Sequence, residues 1–443
     1  MLRTIIEKEF LEKILTLRFI TALVLNVGLA SVSALVLSND YAQELADYNA
    51  RVKLHNDTSS AQTTVVDRRP LPLGTMFHGI AKDSAASVRL AVDMYPEPSE
   101  TIDDNPLSVL FPTVDLTFII GVVMSLLAIL FAYDAISGER ESGTLALISS
   151  NPVKKPMLIF GKWIGGYLSL ILPCSVGLLT GLIIVLIHPM IQLTAADWGA
   201  FALIILCALV YLSCFFALGI MISALTSRSS TAVLTLLFLW ALGVFIIPNL
   251  SPSVAKAFYK IPSFAAQARR SNVAVIELER QRKQEHEENA VEIIDKRIVG
   301  DAGRTLLVDT EKRFIDAKRE TLSNFASDYR RKLRKQEQIG AGIASLSPYA
   351  SFTLFATRLA GTDLGSEAKF VEAAEQFYNK YFEGTSIVTT SGGERGEKLL
   401  FSYAEPTVGE RLRSGLGPLI ILLLFTTLFL IGGYVVFLRR NVK

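Results

Sequence analysis

The chain has 443 residues, 51% of them apolar, and a mean hydropathy of +0.40. Soluble domains of this length do not sustain that hydropathy together with long charge-free runs, so a purely soluble fold is excluded. The formal net charge of +2 singles out no partner class, and no nucleic-acid partner is expected.

Residues 1–18 place Ile6, Phe10, Ile14 and Leu17 on one helical face among interleaved Lys and Glu. This is the pattern of a helix lying on the inner leaflet. A bilayer core of about 30 Å takes roughly 20 apolar residues as a helix. Six runs meet or approach that length: residues 19–37, 116–133, 163–187, 201–225, 232–248 and 416–438. None contains Lys, Arg, Asp or Glu. The start is too long and too mixed in charge for a secretory leader, so the first run reads as an uncleaved anchor.

Cations near the span ends set orientation. With the N-terminus inside, Arg3, Lys8, Lys13 and Arg18 are cytoplasmic, as are Arg140, Lys154, Lys155, Lys162 and Arg228. The tail 439–443, with Arg439, Arg440 and Lys443, joins them. The short loop from His188 to Asp197, left outside, has no Lys or Arg. Both termini are therefore expected in the cytoplasm of a multi-pass protein of the bacterial inner membrane.

Two long stretches fall outside. Residues 38–115 read as a small mixed subdomain, polar and helix-prone from Asn39 to His55 and β-rich from Thr63 to Arg68. Residues 249–415 read as a large helical region. Glu279 to Asn289 has no apolar side chain and must stand in solvent, with expected pairs Glu279–Lys283, Glu292–Lys296 and Asp309–Arg313. Gly300 and Gly303 interrupt the pattern, and Ile315, Leu322, Phe325 and Tyr329 then form an apolar seam. A hairpin turning near Gly300 is predicted, packed on itself or on a second subunit. Gly340 and Gly342 introduce Ile343 to Gly365, apolar but broken by Pro348 and Gly361, which fits an interfacial or re-entrant segment. An amphipathic helix over Glu367 to Glu383 and a mobile loop over Ser386 to Glu397 follow. The fold class is thus mainly α: a polytopic membrane protein with six transmembrane helices, a small mixed extracytoplasmic subdomain and a large helical extracytoplasmic hairpin.

No catalytic constellation emerges. Cys174, Cys207 and Cys214 sit inside spans as small packers, and the four histidines are scattered, so no metal site is expected. Gly161-Lys162 is followed by Trp163, not by the Ser or Thr of a phosphate loop. Enzymes and ion-coupled transporters of the membrane need ionisable groups within their spans. Asp115, at the outer end of the second run, reads as an interface anchor. The run Arg330, Arg331, Lys332, Arg334 and Lys335 fits a contact with anionic headgroups or an anionic substrate; a solvated helix face is the simpler reading.

The segment 134–162 carries the strongest signal. Tyr133 to Leu145 reads YDAISGERESGTL, followed by Pro152-Val153-Lys154-Lys155 and Gly161-Lys162. This resembles the signature of the type-2 ABC transporter permease family, and Leu346 to Pro348 resembles its longer members. The resemblance implies a permease without catalytic activity of its own, paired with a second permease, identical or related. A separate ATPase would bind ATP and Mg, and no cofactor is expected in this chain. Gly138, Glu139, Arg140, Glu141, Gly143, Thr144, Leu145 and Ile148 would form the coupling helix seated in a cleft of that ATPase. Export of an amphipathic or lipid-like substrate is the first functional expectation. The alternatives are a mechanotransmission subunit driving an extracytoplasmic partner, and a membrane scaffold without an ATPase.

Overall fold

The structure, a computed structural model, describes residues 2–58, 63–79, 87–91, 94–99, 113–145, 155–295, 301–383 and 401–439. Helix α1 (Leu2–Ile14) lies beside the bundle, and α2 (Leu17–Thr58) is the first span. The helix α2 outruns the apolar stretch 19–37 by about 30 Å at 1.5 Å per residue. Its second half has neither Gly nor Pro, so no strong breaker stops it. The far end is held by Asp67, which accepts from His55 Nδ1 at 2.7 Å and lies 3.6 Å from Arg51 Nε.

Strands β1 (Thr63–Asp67), β2 (Ser87–Ala91) and β3 (Met94–Ser99) form an antiparallel sheet with β2 central. Thr63 faces Ala91 and Ser87 faces Ser99. Val66, Val88 and Leu90 point to one side, as the period of two requires. There they pack on Phe370, Val371, Ala374 and Tyr378 of α11 (Leu364–Glu383). This is the small mixed subdomain expected from the sequence, completed by a helix from the second long region.

The second span, α3, runs through Leu116–Phe118, Ile119–Met124 and Ser125–Ala132, the middle part being a π-helical turn. Asp115 caps its start: its carboxylate accepts from Phe118 N and His78 N, both at 2.8 Å. Burial pushes this carboxyl above its ordinary value, against those two backbone donors. A short helix, α4 (Ser137–Glu141), precedes α5 (Lys155–Ile187). The span α6 (Ala195–Leu225) starts on a reciprocal cap between Thr194 and Asp197. The fifth span, α7, comprises Ser229–Ala241, a second π-helical turn at Leu242–Ile246, and Ile247–Phe258. The last span is α12 (Val408–Arg439). Among the described residues, six helices are long and apolar enough to cross a membrane, as the sequence predicts.

Lipid gives helices no hydrophobic reason to pair, so close approach through small residues matters. The helix α5 carries Gly161, Gly165, Ser169, Pro173, Gly177 and Gly181 at intervals of four, one continuous stripe. A Cβ on Gly161 would lie 2.6 Å from Ile5 Cγ2, and one on Gly165 would lie 2.7 Å from the Ile6 carbonyl oxygen. Further along, Gly177 faces Asn26 and Gly181 faces Ala30. Asn26, only 2% exposed, donates to the Pro173 carbonyl at 2.7 Å. The stripe thus receives α1 and α2 in turn. Of the expected apolar face, Ile6 presses on Gly165, Phe10 and Ile14 are half-buried and Leu17 is exposed, while Ile5, outside that set, presses on Gly161.

The hairpin is α8 (Phe264–Asp295) against α9 (Asp301–Ala344); the turn predicted near Gly300 lies outside the described residues. The seam residues Ile315, Leu322, Phe325 and Tyr329 are half-buried, and Tyr329 meets Phe264 edge-on. Charges cross the pair: Arg313 reaches Glu285 at 2.6 Å and Arg282 reaches Glu311 at 3.1 Å. The sequence pairs Arg313 with Asp309; in the structure it reaches Glu285 of the facing helix. The expected Glu292–Lys296 pair lies outside the described side chains. Gly303, Gly340 and Gly342 do not interrupt α9, which continues to Ala344. At Gly340 α9 passes Ala255 of α7, where a Cβ would make an ordinary contact at 3.5 Å.

Within the segment expected to be interfacial or re-entrant lies a helix buried in protein, α10 (Pro348–Ala360). Ser347 caps it, Pro348 opens it, and Gly361 at φ 78° closes it. Phe352 and Leu359 are fully buried, so the apolar character answers to protein contacts. Phe352 stacks on Tyr211, whose hydroxyl donates to the Gly121 carbonyl in the first π turn at 2.5 Å. Ser347 Oγ donates to the Gly243 carbonyl in the second π turn. Such turns leave carbonyls in need of donors, and α10 with α6 supplies both. The loop Ser386 to Glu397 lies outside the described residues.

Candidate functional site

The signature segment lies at the end of the bundle opposite the sheet and hairpin, together with α1. It begins where α3 ends. Ile136 N and Ser137 N both donate to Ser223 Oγ at 3.0 Å, so one hydroxyl of α6 terminates the span and starts α4. Ser137 Oγ donates to Tyr133 O at 2.9 Å and lies 3.2 Å from Ser229 Oγ. Arg140 donates to the Thr226 carbonyl. Ser229 Oγ donates to Glu141 at 2.7 Å. One flank of α4 is therefore held by the turn between α6 and α7.

Gly138 packs its α-carbon against Asp134, where a Cβ would lie 3.3 Å from the Asp134 side chain. Gly143 has φ 74°, a left-handed conformation that explains a glycine here. Thr144 is exposed and Leu145 is 2% exposed. Ile148 and the Pro152-Val153-Lys154 part of the motif lie outside the described residues.

The other flank is ionic. Lys162, 3% exposed in its side chain, donates to Glu9 Oε1 at 2.6 Å and to Glu139 Oε1 at 2.8 Å. The glycines on either side of it in α5, Gly161 and Gly165, let α1 come close enough to deliver Glu9. One helical turn before Ser137, Asp134 accepts from Lys13 at 2.9 Å and from Arg18 at 2.7 Å. Arg18 also donates to the Tyr133 hydroxyl at 2.8 Å. Three cations and three carboxylates thus join α1, the start of α2, the end of α3, α4 and the start of α5. A lysine this buried at a span end is expensive unless paired, and here each charge has an opposite within hydrogen-bond range.

Sequence reasoning picked out Glu139, Arg140 and Glu141 but missed what holds them, Lys162 for Glu139, the Thr226 carbonyl for Arg140 and Ser229 for Glu141, and it missed the neighbouring Lys162–Glu9 and Lys13–Asp134 pairs. Lys162 read as an orienting cation and as part of the signature's Gly-Lys pair, without a partner. One signal was available: a lysine between glycines on a strict four-residue stripe points into a helix contact.

The basic run sits on α9 at the opposite end. Arg330 pairs with Glu375, Arg334 lies 3.5 Å from Glu372, and Arg331 and Lys332 each reach Asp328 at 2.6 Å. Those hydrogen bonds hold the Asp328 carboxyl below its ordinary value. Lys335 completes the run on the same helix. Two of these contacts fasten α9 to α11. Among the described residues no cluster of three or more His, Cys, Asp or Glu is placed to hold a metal ion.

Among the described residues, six helices of membrane length, a signature segment braced at one end, and a sheet and hairpin at the other define a polytopic membrane protein. The chain belongs to the ABC-2 family of transporter proteins, whose family model matches residues 3–442. It is 36% identical over 126 residues to a probable ABC transporter permease protein NosY of Pseudomonas aeruginosa, covering 28% of this chain and 46% of that one. It is 32% identical over 125 residues to the probable permease NosY of Stutzerimonas stutzeri, covering 28% and 45%. The chain spans less than half the length of these curated relatives.

Proposed function

We propose that this chain is the membrane subunit of an ABC transporter, driven through the segment 137–148 by a separate ATPase that binds ATP and Mg. The observation that carries the reading is the bracing of that segment. Its two flanks are tied to the turn between α6 and α7 and to α1 and α5, so a displacement of α4 reaches every neighbouring span. Membership of the ABC-2 family supports it. The distribution of Lys and Arg supports a cytoplasmic position for this end and for both termini in a bacterial inner membrane. The exposed apolar faces of α2, α7 and α12, with Val24, Phe238 and Leu428 each more than 60% exposed, suit lipid and a second permease, identical or related.

Export of an amphipathic or lipid-like substrate is the working assignment, motivated by spans whose apolar cores carry no charge. A second reading, mechanotransmission to an extracytoplasmic partner, is favoured by one feature. The hairpin is in direct mechanical series with the bundle: α7 runs into α8, and α9 turns through Ser345–Ser347 into the buried α10.

Reconstitution with the partner ATPase tests the assignment. Glu139→Ala, which leaves Lys162 paired with Glu9, is expected to lower ATP-driven transport about tenfold without loss of membrane insertion, a loss of about 1.4 kcal/mol in coupling. Vigorous ATP hydrolysis by the pure chain alone would sink the idea of a separate motor. In the same assay, residues 272–320 can be replaced by a tight turn, since Gln267 donating to Phe325 O at 3.0 Å keeps the hairpin base. Retained transport then selects export; total loss of function with intact ATPase stimulation selects transmission.

A further inference from the structure

We infer that Lys162 is a positioning residue that acts as a latch, with Glu139 as its releasable partner and Glu9 as its resident one. The inference rests on the coupling role proposed above and adds the place where the coupling segment parts from the bundle.

The argument starts from charge. One ammonium faces two carboxylates, so this cluster holds one surplus negative charge. Withdrawing Glu139 leaves a balanced Lys162–Glu9 pair whose side chains are 3% and 6% exposed. It sends to water a carboxylate that is already 17% exposed. Withdrawing Glu9 would instead strand a carboxylate inside the α1–α5 crossing, where backbone meets glycine. Separation is therefore cheaper between α4 and α5 than between α1 and α5.

Mechanics agree with charge. On the shelf side, the 136–141 stretch is held by two backbone donors on Ser223, by Arg140 on Thr226 and by Ser229 on Glu141. On the other side, Glu139 is held through Oε1 alone. Its Oε2 is buried and has no hydrogen-bond partner among the described residues. A push on α4 then pivots about the shelf and opens at Lys162, while α1 stays on α5. Glu9 sets how firmly the latch closes, because it competes with Glu139 for a single cation.

The test uses the full chain in lipid nanodiscs, with spin labels at Glu12→Cys and Thr144→Cys, two exposed positions on α1 and the signature segment. The native cysteines are buried. Pulsed EPR distance distributions are compared in otherwise wild-type, Glu139→Gln and Glu9→Gln backgrounds. Glu139→Gln is expected to raise the long-distance population about fivefold, the scale of one partly exposed charge-assisted hydrogen bond. Glu9→Gln, which leaves a one-to-one Lys162–Glu139 pair, is expected to lower that population below wild type. Opposite signs mark a latch, since a purely structural ion cluster would loosen in both variants. Shifts of the same sign, or none, overturn the inference. Should Glu9→Gln not insert, Glu139→Asp, with the charge kept and the arm shortened, is expected to open the latch, and an unchanged distribution would overturn it. The distances need no ATPase, so opposed shifts in a chain that binds no ATPase would keep the latch and refute the coupling role alone.

Discussion

Lys162→Met is expected to lower the stability of the folded chain by about 3–5 kcal/mol, the cost of breaking a buried ion pair by removing one partner. Methionine keeps most of the volume, so the loss is electrostatic. Glu9 and Glu139 are left facing one another around a site that is 3% exposed, with no cation between them. Lys13 and Arg18 do not relieve this, because both are engaged by Asp134. The change is read as a lowered thermal unfolding midpoint of the purified chain in detergent. Combining Lys162→Met with Glu9→Gln and Glu139→Gln is expected to recover most of the stability, since an uncharged cluster has no stranded carboxylate. A midpoint unmoved by Lys162→Met would show that the three side chains are not in contact.

Gly165→Val is the second large effect. The first atom of any side chain there would lie 2.7 Å from the Ile6 carbonyl oxygen and 2.9 Å from Glu9 Cβ. Because the obstacle includes backbone, no rotamer change relieves it, and α1 must move off α5. Overpacking of this kind costs about 1–3 kcal/mol. The displacement also draws Glu9 away from Lys162, which pushes the loss to the upper part of that range. Limited proteolysis within α1 reads the detachment directly, and faster cleavage than in wild type is the expected result. The control is Gly199→Ala in the first turn of α6, where nothing lies within 4 Å and the change is expected to be neutral or mildly stabilising.

The six spans were legible because a bilayer imposes a length and a charge rule that few soluble sequences meet by chance. The hairpin was legible for the opposite reason: eleven residues without an apolar side chain can only be solvated helix. Residues 39–55 read as helix-prone, but their unbroken continuation of the first span was not legible, because apolar content says where lipid ends and nothing about where a helix ends. That protein covers α10 was not legible, because an apolar segment with Pro and Gly reads alike whether lipid or protein covers it. Two π turns decide the matter, through the Gly121 and Gly243 carbonyls, and a π turn leaves no mark in composition. At the candidate site, the order of charged residues and glycines in 138–145 marked the segment, and Gly143 at φ 74° shows a physical need for one of them. What holds the segment was not legible. Glu9 and Lys162 are 153 residues apart, and nothing local to either announces the other.

The most direct measurement is a photo-cross-link. A photoreactive amino acid at exposed Thr144, in the full chain co-expressed with the ATPase, is expected to capture that ATPase in high yield. The same group at exposed Leu428, on the flank of α12 within the membrane, is expected to capture none of it. Equal capture from both positions, or none from Thr144 in a complex that still hydrolyses ATP, would contradict the assignment of residues 137–148 as the seat of the motor.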